Sequence, residues 1–510
     1  MPYEINSAEW GPTNQEQKPE YLFIVIKSKC KDFEYELRRA ELSVKRYDSV
    51  NPELSYLAVY VKDSVYKKTA MALNLEAENR KYGFMMEYKT CNKEEYYSFS
   101  QRQKHQMIEY LTASELDLMK YFSHLTNSYK DNKILIDYFP LHDLFKEDIR
   151  NLWGRGQFLK VFITWFVFAR TDQLLPIFLL RSYFGEKVAL YYSWVTFYTG
   201  FLAYLSIPGV VLSVFQLSSM KIDHPLTLFY SLFVSIWITL MNQMWKRREN
   251  SLIHFWNMHD FRVKGIERLT YQHELDINER TGEVVKQSFI RSSIRKLFFN
   301  LPMLIFGLAL VAAAFIGFRV WSSISSSFEN SILIGSINGI SIFVLNFIYT
   351  FIARKLTDLE NYQYQDQWEN SFIIKIFGFQ FVNCYISLFA IAFYDANIES
   401  IAYFLGSIFV VKQFLTFVIK FLVPYSLNFI KLRILNKKLF ALRNDEKLRI
   451  NKELEEEYNR YESAEQITDY CEMIIQLGYL TMFSSALPIC VIIAFIRNLI
   501  LIKGRLSVHI

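Results

Sequence analysis

The chain is 510 residues long, 52% hydrophobic and 17% aromatic, a composition that excludes a disordered, collagenous or small disulfide-stapled protein. Lys and Arg number 57 against 51 Asp and Glu, and the resulting +6 is too slight over this length for a nucleic-acid-binding surface. The five cysteines, at 30, 91, 384, 471 and 490, show no C-x-x-C spacing, which argues against a zinc site or a disulfide framework.

In chain order, residues 1–20 form a polar, acidic tail with no positive stretch leading into an apolar core. No cleaved secretory signal is expected, and the amino terminus is expected in the cytosol. Residues 21–27 and 55–62 are apolar, β-rich runs, followed by charged helical patterns over 32–46 and 63–80, with a further strand near 82–89. That alternation predicts a small α/β domain of roughly 100 residues. Residues 100–150 read as a helical, solvated connector ending in a turn signal from Tyr138 to Asp143. The cytosolic domain and its connector are thus assigned to 21–150, and interfacial, pre-membrane helices to 151–187. Within the latter, 158–180 is apolar but interrupted by Arg170, Thr171, Asp172 and Gln173, so it is expected at an interface.

From residue 188 to 510 the chain reads as a polytopic helical membrane domain, which makes the fold class mainly α. About eight stretches suggest crossings: near 190–217, 225–245, 298–320, 331–353, 373–395, 401–424, 470–487 and 488–503. The last two form one apolar block from Asp469 to Lys503, too long for one crossing and broken at Pro488, hence a predicted hairpin. The loops 246–297 and 425–465 are rich in Lys and Arg, whereas the alternate loops offer only Lys221 and Arg319. The basic loops are expected to face the cytosol, which with an even number of spans puts both termini there.

No H-E-x-x-H, Gly-rich phosphate loop or G-x-S-x-G occurs, and the eight histidines lack metal-ligand spacing, so an enzyme is not expected. Polar residues inside the spans carry the functional signal, because an ionisable group at mid-bilayer must find a cavity or a partner. In the sixth span Lys412, Gln413, Thr416 and Lys420 share one helical face. Either that face lines an aqueous or head-group-filled groove where Lys412 attracts anions, or Lys412 pairs with a buried acid and Lys420 snorkels to the interface. Asn338 and Asn346 in the fourth span fit either interhelical hydrogen bonds or a pore. Asp469 and Glu472 open the seventh span at i, i+3, so both carboxylates can converge on one cation. The alternative is a salt bridge to Lys503, Arg505 or Lys420. The mixed-charge run Glu453 to Glu457 reads as a solvated helical face.

Several segments together resemble the anoctamins, the family of calcium-activated chloride channels and phospholipid scramblases. The most specific is Arg170-Thr171-Asp172-Gln173-Leu174 leading into Arg181-Ser182-Tyr183-Phe184-Gly185-Glu186-Lys187. Others are Tyr138 to Asp143, Trp245-Lys246-Arg247, Leu356-Thr357-Asp358-Leu359-Glu360, Phe379-Gln380-Phe381-Val382-Asn383 and Glu472-Met473-Ile474-Ile475-Gln476-Leu477-Gly478-Tyr479. The resemblance implies a ferredoxin-like cytosolic domain, a homodimer, residence in the plasma membrane or endoplasmic reticulum, and a groove for chloride or lipid head groups lined by the sixth span. Lys412-Gln413 fits the family's Lys-Gln pair there.

The departures are as informative. The six positions at which the resemblance implies calcium ligands read Phe417, Phe421, Asp469, Glu472, Leu501 and Arg505 here, so only the Asp469 and Glu472 remnant survives. Transport without the usual calcium gating is therefore expected, with no cofactor otherwise called for. The alternative is a non-transporting membrane scaffold or contact tether. The loop from Asp395 to Ser400 is short, with Asp395 standing where the family has a pore lysine, and Ile510 follows directly on the eighth span. The sequence thus reads as a divergent member without the family's last two helices, whether shortened or incomplete.

Overall fold

The computed structural model describes residues 19–73, 76–78, 85–87, 99, 101–116, 135–141, 177–219, 221–256, 258, 268, 275–277, 284–286, 289–324, 328–442, 454–455, 458 and 466–509. The chain divides into two compact units. One comprises Met1–Asn151, Ser182–Gly185 and Asn428–Arg460; the other comprises Leu152–Arg181, Glu186–Leu427 and Tyr461–Ile510.

The first unit is built on a four-stranded antiparallel sheet of β1 (Tyr21–Ile26), β2 (Ser43–Asp48), β3 (Leu54–Tyr60) and β4 (Leu135–Pro140), in spatial order β2-β3-β1-β4. Tyr21 pairs with Val59 on one side and Pro140 on the other, which places the long apolar strands in the middle. Helices α1 (Cys30–Arg39), α2 (Asp63–Leu73) and α3 (Gln101–Leu116) accompany the sheet. Because β1 and β3 are apolar almost without interruption, both sheet faces need cover. On one face Tyr21, Phe23, Val25, Leu57 and Val59 pack with Phe33 and Leu37 of α1, Tyr66 of α2, and Met107 and Ile108 of α3. On the other, Leu22, Ile24, Leu54, Tyr56 and Ala58 pack with Leu141 and with Leu454 from far along the chain. Each such fully buried side chain contributes about 1.5–3 kcal/mol.

Three sequence expectations are corrected in this unit. The helix expected over 32–46 stops at Arg39: Glu41 takes φ 62°, a left-handed value that ends it, and Ser43–Asp48 pairs with β3 instead. The helix expected over 63–80 ends at Leu73, and Glu76–Glu78 pairs with Met85–Glu87. The turn signal near Tyr138 lies largely within an edge strand, where Pro140 is tolerated because it sits at the strand's end. Of the predicted interfacial segment 158–180, only the end falls among the described residues, in α4 (Ile177–Phe184).

The second unit is helical. Gly185, at φ 92°, separates α4 from α5 (Glu186–Ser219), a backbone turn that residues with a Cβ rarely adopt. There follow α6 (Leu226–Phe255), α7 (Phe289–Ile324), α8 (Phe328–Leu359) and α9 (Gln365–Ala390), which widens into a π-turn at Ile391–Asp395. Next come α10 (Ile398–Phe417), a second π-turn at Val418–Leu422, α11 (Val423–Leu442), which belongs to the first unit from Asn428 on, α12 (Gln466–Met482) and α13 (Cys490–His509). Apart from the seventh, expected to run to 487 but helical only to Met482 and turning before Cys490, the stretches predicted to cross the membrane fall mainly on helices. Five helical runs are long and apolar enough to do so: Glu186–Ser219, Leu226–Phe255, Leu333–Leu359, Gln365–Asp395 and Ile398–Lys438. Shorter apolar runs are Pro302–Gly317 in α7 and Cys490–Ile502 in α13, while α12 has 17 residues.

Two joints set the geometry. Between α8 and α9, the Leu356–Glu360 segment supplies a polar lock: Lys375 Nζ donates to Glu360 Oε2 at 2.8 Å and Thr357 Oγ1 at 3.0 Å, and Trp368 Nε1 donates to Asp358 at 2.9 Å. Between α10 and α11, Pro424 has no N–H for the Lys420 carbonyl and its ring crowds that carbonyl. The helix responds by widening, and the Val423 N–H reaches back to the Val418 carbonyl.

Candidate functional site

Asn397 starts α10 firmly, its side-chain oxygen accepting from the Glu399 and Ser400 N–H groups at 3.0 and 3.2 Å. About four to five turns on, Lys412, Gln413 and Thr416 line one pocket with Phe409 of α10, Glu472, Gln476 and Tyr479 of α12, and Arg497 of α13. Its empty space, counting the part that merges with the surroundings, is about 270 Å³. Of the four residues predicted to share a lining face, the structure brings these three into the pocket and turns the fourth, Lys420 on the π-turn, to the acids of α12.

Lys420 Nζ lies 2.7 Å from Asp469 Oδ1 and 2.7 Å from Glu472 Oε2, so one ammonium bridges the two carboxylates. On the other side of Glu472, Arg497 donates to Oε2 at 3.1 Å and to Gln476 Oε1 at 3.4 Å. Of the bases weighed as partners for this pair, Lys420 is in place; the side chains of Lys503 and Arg505 lie outside the described residues. Lys412 stands apart. Its Nζ approaches the Cys384 sulfur at 3.7 Å and lies 5.6 Å from the Tyr479 ring centroid, and among the described residues no carboxylate is within ion-pair distance of it. Among the described residues, three cations (Lys412, Lys420 and Arg497) thus stand with two carboxylates, an excess of one positive charge. Gln413 Oε1 and Gln476 Nε2 are both buried without a hydrogen-bond partner, an acceptor and a donor left over on the pocket wall.

The helices behind the pocket are fastened by polar contacts. Asn383 Nδ2 donates to Asn346 Oδ1 at 2.8 Å and to the Ile342 carbonyl at 3.1 Å, and Asn338 Nδ2 donates to Ser387 Oγ at 3.2 Å, so Asn338 and Asn346 of α8 both bond to α9. Tyr479 Oη donates to the Cys384 carbonyl at 3.0 Å and Tyr385 Oη to the Ile475 carbonyl at 2.6 Å, joining α9 to α12. Gly478 permits this approach, since a Cβ there would sit 2.1 Å from Tyr385 Oη.

A calcium ion takes six to eight oxygens at about 2.3–2.6 Å. Here Asp469 and Glu472 already hold an ammonium, Phe417 and Leu501 offer no oxygen, and no group of three or more His, Cys, Asp or Glu that could hold a metal occurs among the described residues. The donor set does not fit the ion. Sequence reasoning missed Arg497 and Gln476. Both left a signal: Arg497 is a lone cation in the apolar run Cys490–Ile502, and Gln476 continues the Asp469, Glu472 face at i+7.

The chain was compared with known proteins. A family profile described as "Anoctamin: Calcium-activated chloride channel" matches residues 180–507, well over half of the sequence. Human anoctamin-10 is 28% identical over 382 residues, an alignment covering 72% of this chain and 55% of that protein. Human anoctamin-3 is 26% identical over 420 residues (64% of this chain, 42% of that one), and rat anoctamin-7 26% over 453 residues (72% and 52%). The chain spans about half the length of the curated relatives it matches. With the helical membrane unit, the small sheet and this profile in agreement, the chain belongs to the anoctamin family.

Proposed function

We propose that this membrane protein passes anions, phospholipid head groups or both along the polar face of α10, without chemistry and without calcium gating at Asp469 and Glu472. One observation carries the reading: Lys412 is a half-buried cation with no carboxylate partner among the described residues, on the wall of a pocket that also offers an unpartnered acceptor and donor. A cation so placed lowers the cost of an anion or phosphate entering a low-dielectric region. Lys420, two turns on, occupies the two acids that a gating cation would need.

The wider proposal has eight crossings with both termini cytosolic, pre-membrane helices over 151–187 and a membrane domain over 188–510, in the plasma membrane or endoplasmic reticulum. Residues 21–150 form a cytosolic ferredoxin-like domain, a reading supported by the strand order β2-β3-β1-β4 with helices after β1 and β3. The homodimer stands as an expectation of family membership.

The test is flux from liposomes holding the purified protein, with surface-quenchable fluorescent lipids in parallel with chloride efflux, in calcium and in chelator. Equal activity in both conditions is the expected result. Activity confined to calcium would overturn the ungated reading. Absence of both fluxes from folded protein would overturn transport and leave a scaffold or tether.

A further inference from the structure

Both faces of the N-terminal sheet are covered, but its two edges are not alike. Helices α1, α2 and α3 cover one face. On the other, Leu454 packs at 4% exposure, and Glu455, read from sequence as part of a solvated charged run, is corrected to a residue 2% exposed whose Oε1 accepts from Ser49 Oγ at 2.6 Å. The outer strand β4 makes a poor edge: its register with β1 shifts between Ile24 and Val25, it ends in Pro140, and the Tyr138 N–H donates to the Asp137 carboxylate at 2.8 Å.

The opposite edge, β2, carries none of these devices. All six of its residues pair with β3 in unbroken register, from Ser43 opposite Tyr60 to Asp48 opposite Ser55, with no proline and no bulge. In an antiparallel ladder alternate residues turn both backbone groups to one neighbour, and the residues between them turn theirs away. Two contacts show which are which. The Val59 carbonyl, opposite Val44, accepts from the Glu20 N–H at 2.9 Å on the far side of β3, and the Val44 carbonyl accepts from the Arg38 guanidinium at 3.4 Å. Val44 and Arg46 therefore direct N–H and C=O outward, while Lys45 and Tyr47 bond to β3. Arg38, 60% exposed at its side chain, stands where the N–H of a neighbouring strand would.

The charge on this edge is one-sided. Asp48 is held by Lys27 at 3.1 Å and Glu34 by Arg38 at 2.7 Å, whereas among the described residues neither Lys45 nor Arg46 is in an ion pair; Arg46 reaches the Ser55 hydroxyl at 3.4 Å. Successive strand residues point to opposite faces, so the two cations flank the edge above and below. Basic residues keep an edge from pairing with a copy of itself, and the same charges favour a strand that sets acids opposite them.

We propose that the β2 edge is a strand-addition site for an extended acidic segment of a partner protein, which bonds to the outward backbone groups of Val44 and Arg46 and sets adjacent acids against Lys45 and Arg46. Nothing in this depends on what the membrane unit carries.

Hydrogen exchange of the full chain in nanodiscs of zwitterionic lipid tests it, with the capped peptides Thr-Val-Glu-Glu-Val-Thr and Thr-Val-Lys-Lys-Val-Thr at millimolar concentration as probes. The acidic peptide should slow exchange at the Val44 and Arg46 amides about 5- to 10-fold, and the basic one should leave it unchanged. Lys45→Glu and Arg46→Glu together should invert that preference. Arg46→Pro removes an outward N–H and spares the ladder to β3, so it should abolish the protection; the charge-reversed protein carries the test if this variant does not fold. Equal protection by both peptides would overturn the charge selection, and protection that survives in Arg46→Pro would overturn strand addition. Protection by neither peptide, or an edge already protected in their absence, would overturn the site.

Discussion

Lys412 and Lys420 lie two turns apart on one continuous helical run, yet their surroundings are opposite. Lys420 has two carboxylates at 2.7 Å; Lys412 has a cysteine sulfur and the face of a tyrosine. A cation between two acids is a structural part, since its charge is consumed locally and its removal takes a partner from each. A cation facing sulfur and an aromatic ring keeps its charge for whatever enters the pocket. Lys420 lies on the π-turn and meets the acids of α12, whereas 412, 413 and 416 line the pocket. One helix thereby carries both a strut and a recognition group.

The first way to break the comparison is to remove the strut. Lys420→Met takes the ammonium at 2.7 Å from Asp469, 2% exposed at its side chain, and from Glu472, which keeps Arg497. We expect a loss of about 3–5 kcal/mol, because removing one partner of a buried ion pair leaves charge that must stay buried with fewer partners or take up a proton. Thermal unfolding in detergent at neutral pH reads it, and Lys420→Arg should retain most of the stability. A Lys420→Met protein as stable as the parent would show that the bridge is not structural.

Next in size is Gly478→Ala. The new Cβ meets Tyr385 Oη at 2.1 Å, so the ring must move and its bond to the Ile475 carbonyl is lost. Overpacking of this kind costs about 1–3 kcal/mol. Because Gly478 lies on α12, the variant should also loosen Tyr479 against Lys412, detectable as increased exchange of the α12 amides. Asn383→Ala should cost about 1–2 kcal/mol through its lost bonds to Asn346 and Ile342, with no change in the α12 amides. The pair of variants separates the α9–α12 fastening from the α8–α9 fastening.

How much of this was legible in the sequence depended on whether the signal was local. The shared face of 412, 413 and 416 follows from helical periodicity alone, and the central strands from their apolar runs. Ser43–Asp48 was not legible, because SVKRYD carries no apolar alternation and is drawn into the sheet by its neighbour's free hydrogen-bonding edge. Leu135–Pro140 was hidden by a proline that reads as a turn but is acceptable at a strand's end. Arg497 was hidden by the apolar residues around it. Glu455 was invisible for a different reason: its partners lie some four hundred positions away, and nothing in a charged run shows that one of its members is buried. Departures at Phe417 and Leu501 were readable only against the family pattern. That Lys420 meets both acids at once needed three dimensions to see.

The smallest effect on stability should come from Lys412, and the largest on transport. Lys412→Met gives up one cation–ring contact and a weak sulfur contact, about 0.5–1 kcal/mol. Lys412→Glu goes further, turning an excess of one positive charge in the pocket into an excess of one negative charge beside Glu472. If the uncompensated cation recruits anions, chloride efflux should fall steeply in Lys412→Met, and in Lys412→Glu the ratio of cation to anion flux should invert, measured as reversal potentials in asymmetric salt. The shift should shrink as ionic strength rises, since a charge reached through an open pocket mouth is screened. Lys420→Arg, which preserves the strut, should leave the same ratio unchanged. Equal selectivity in Lys412→Glu and parent would mean that the two lysines differ in partners but not in purpose, and that the permeant species takes another face.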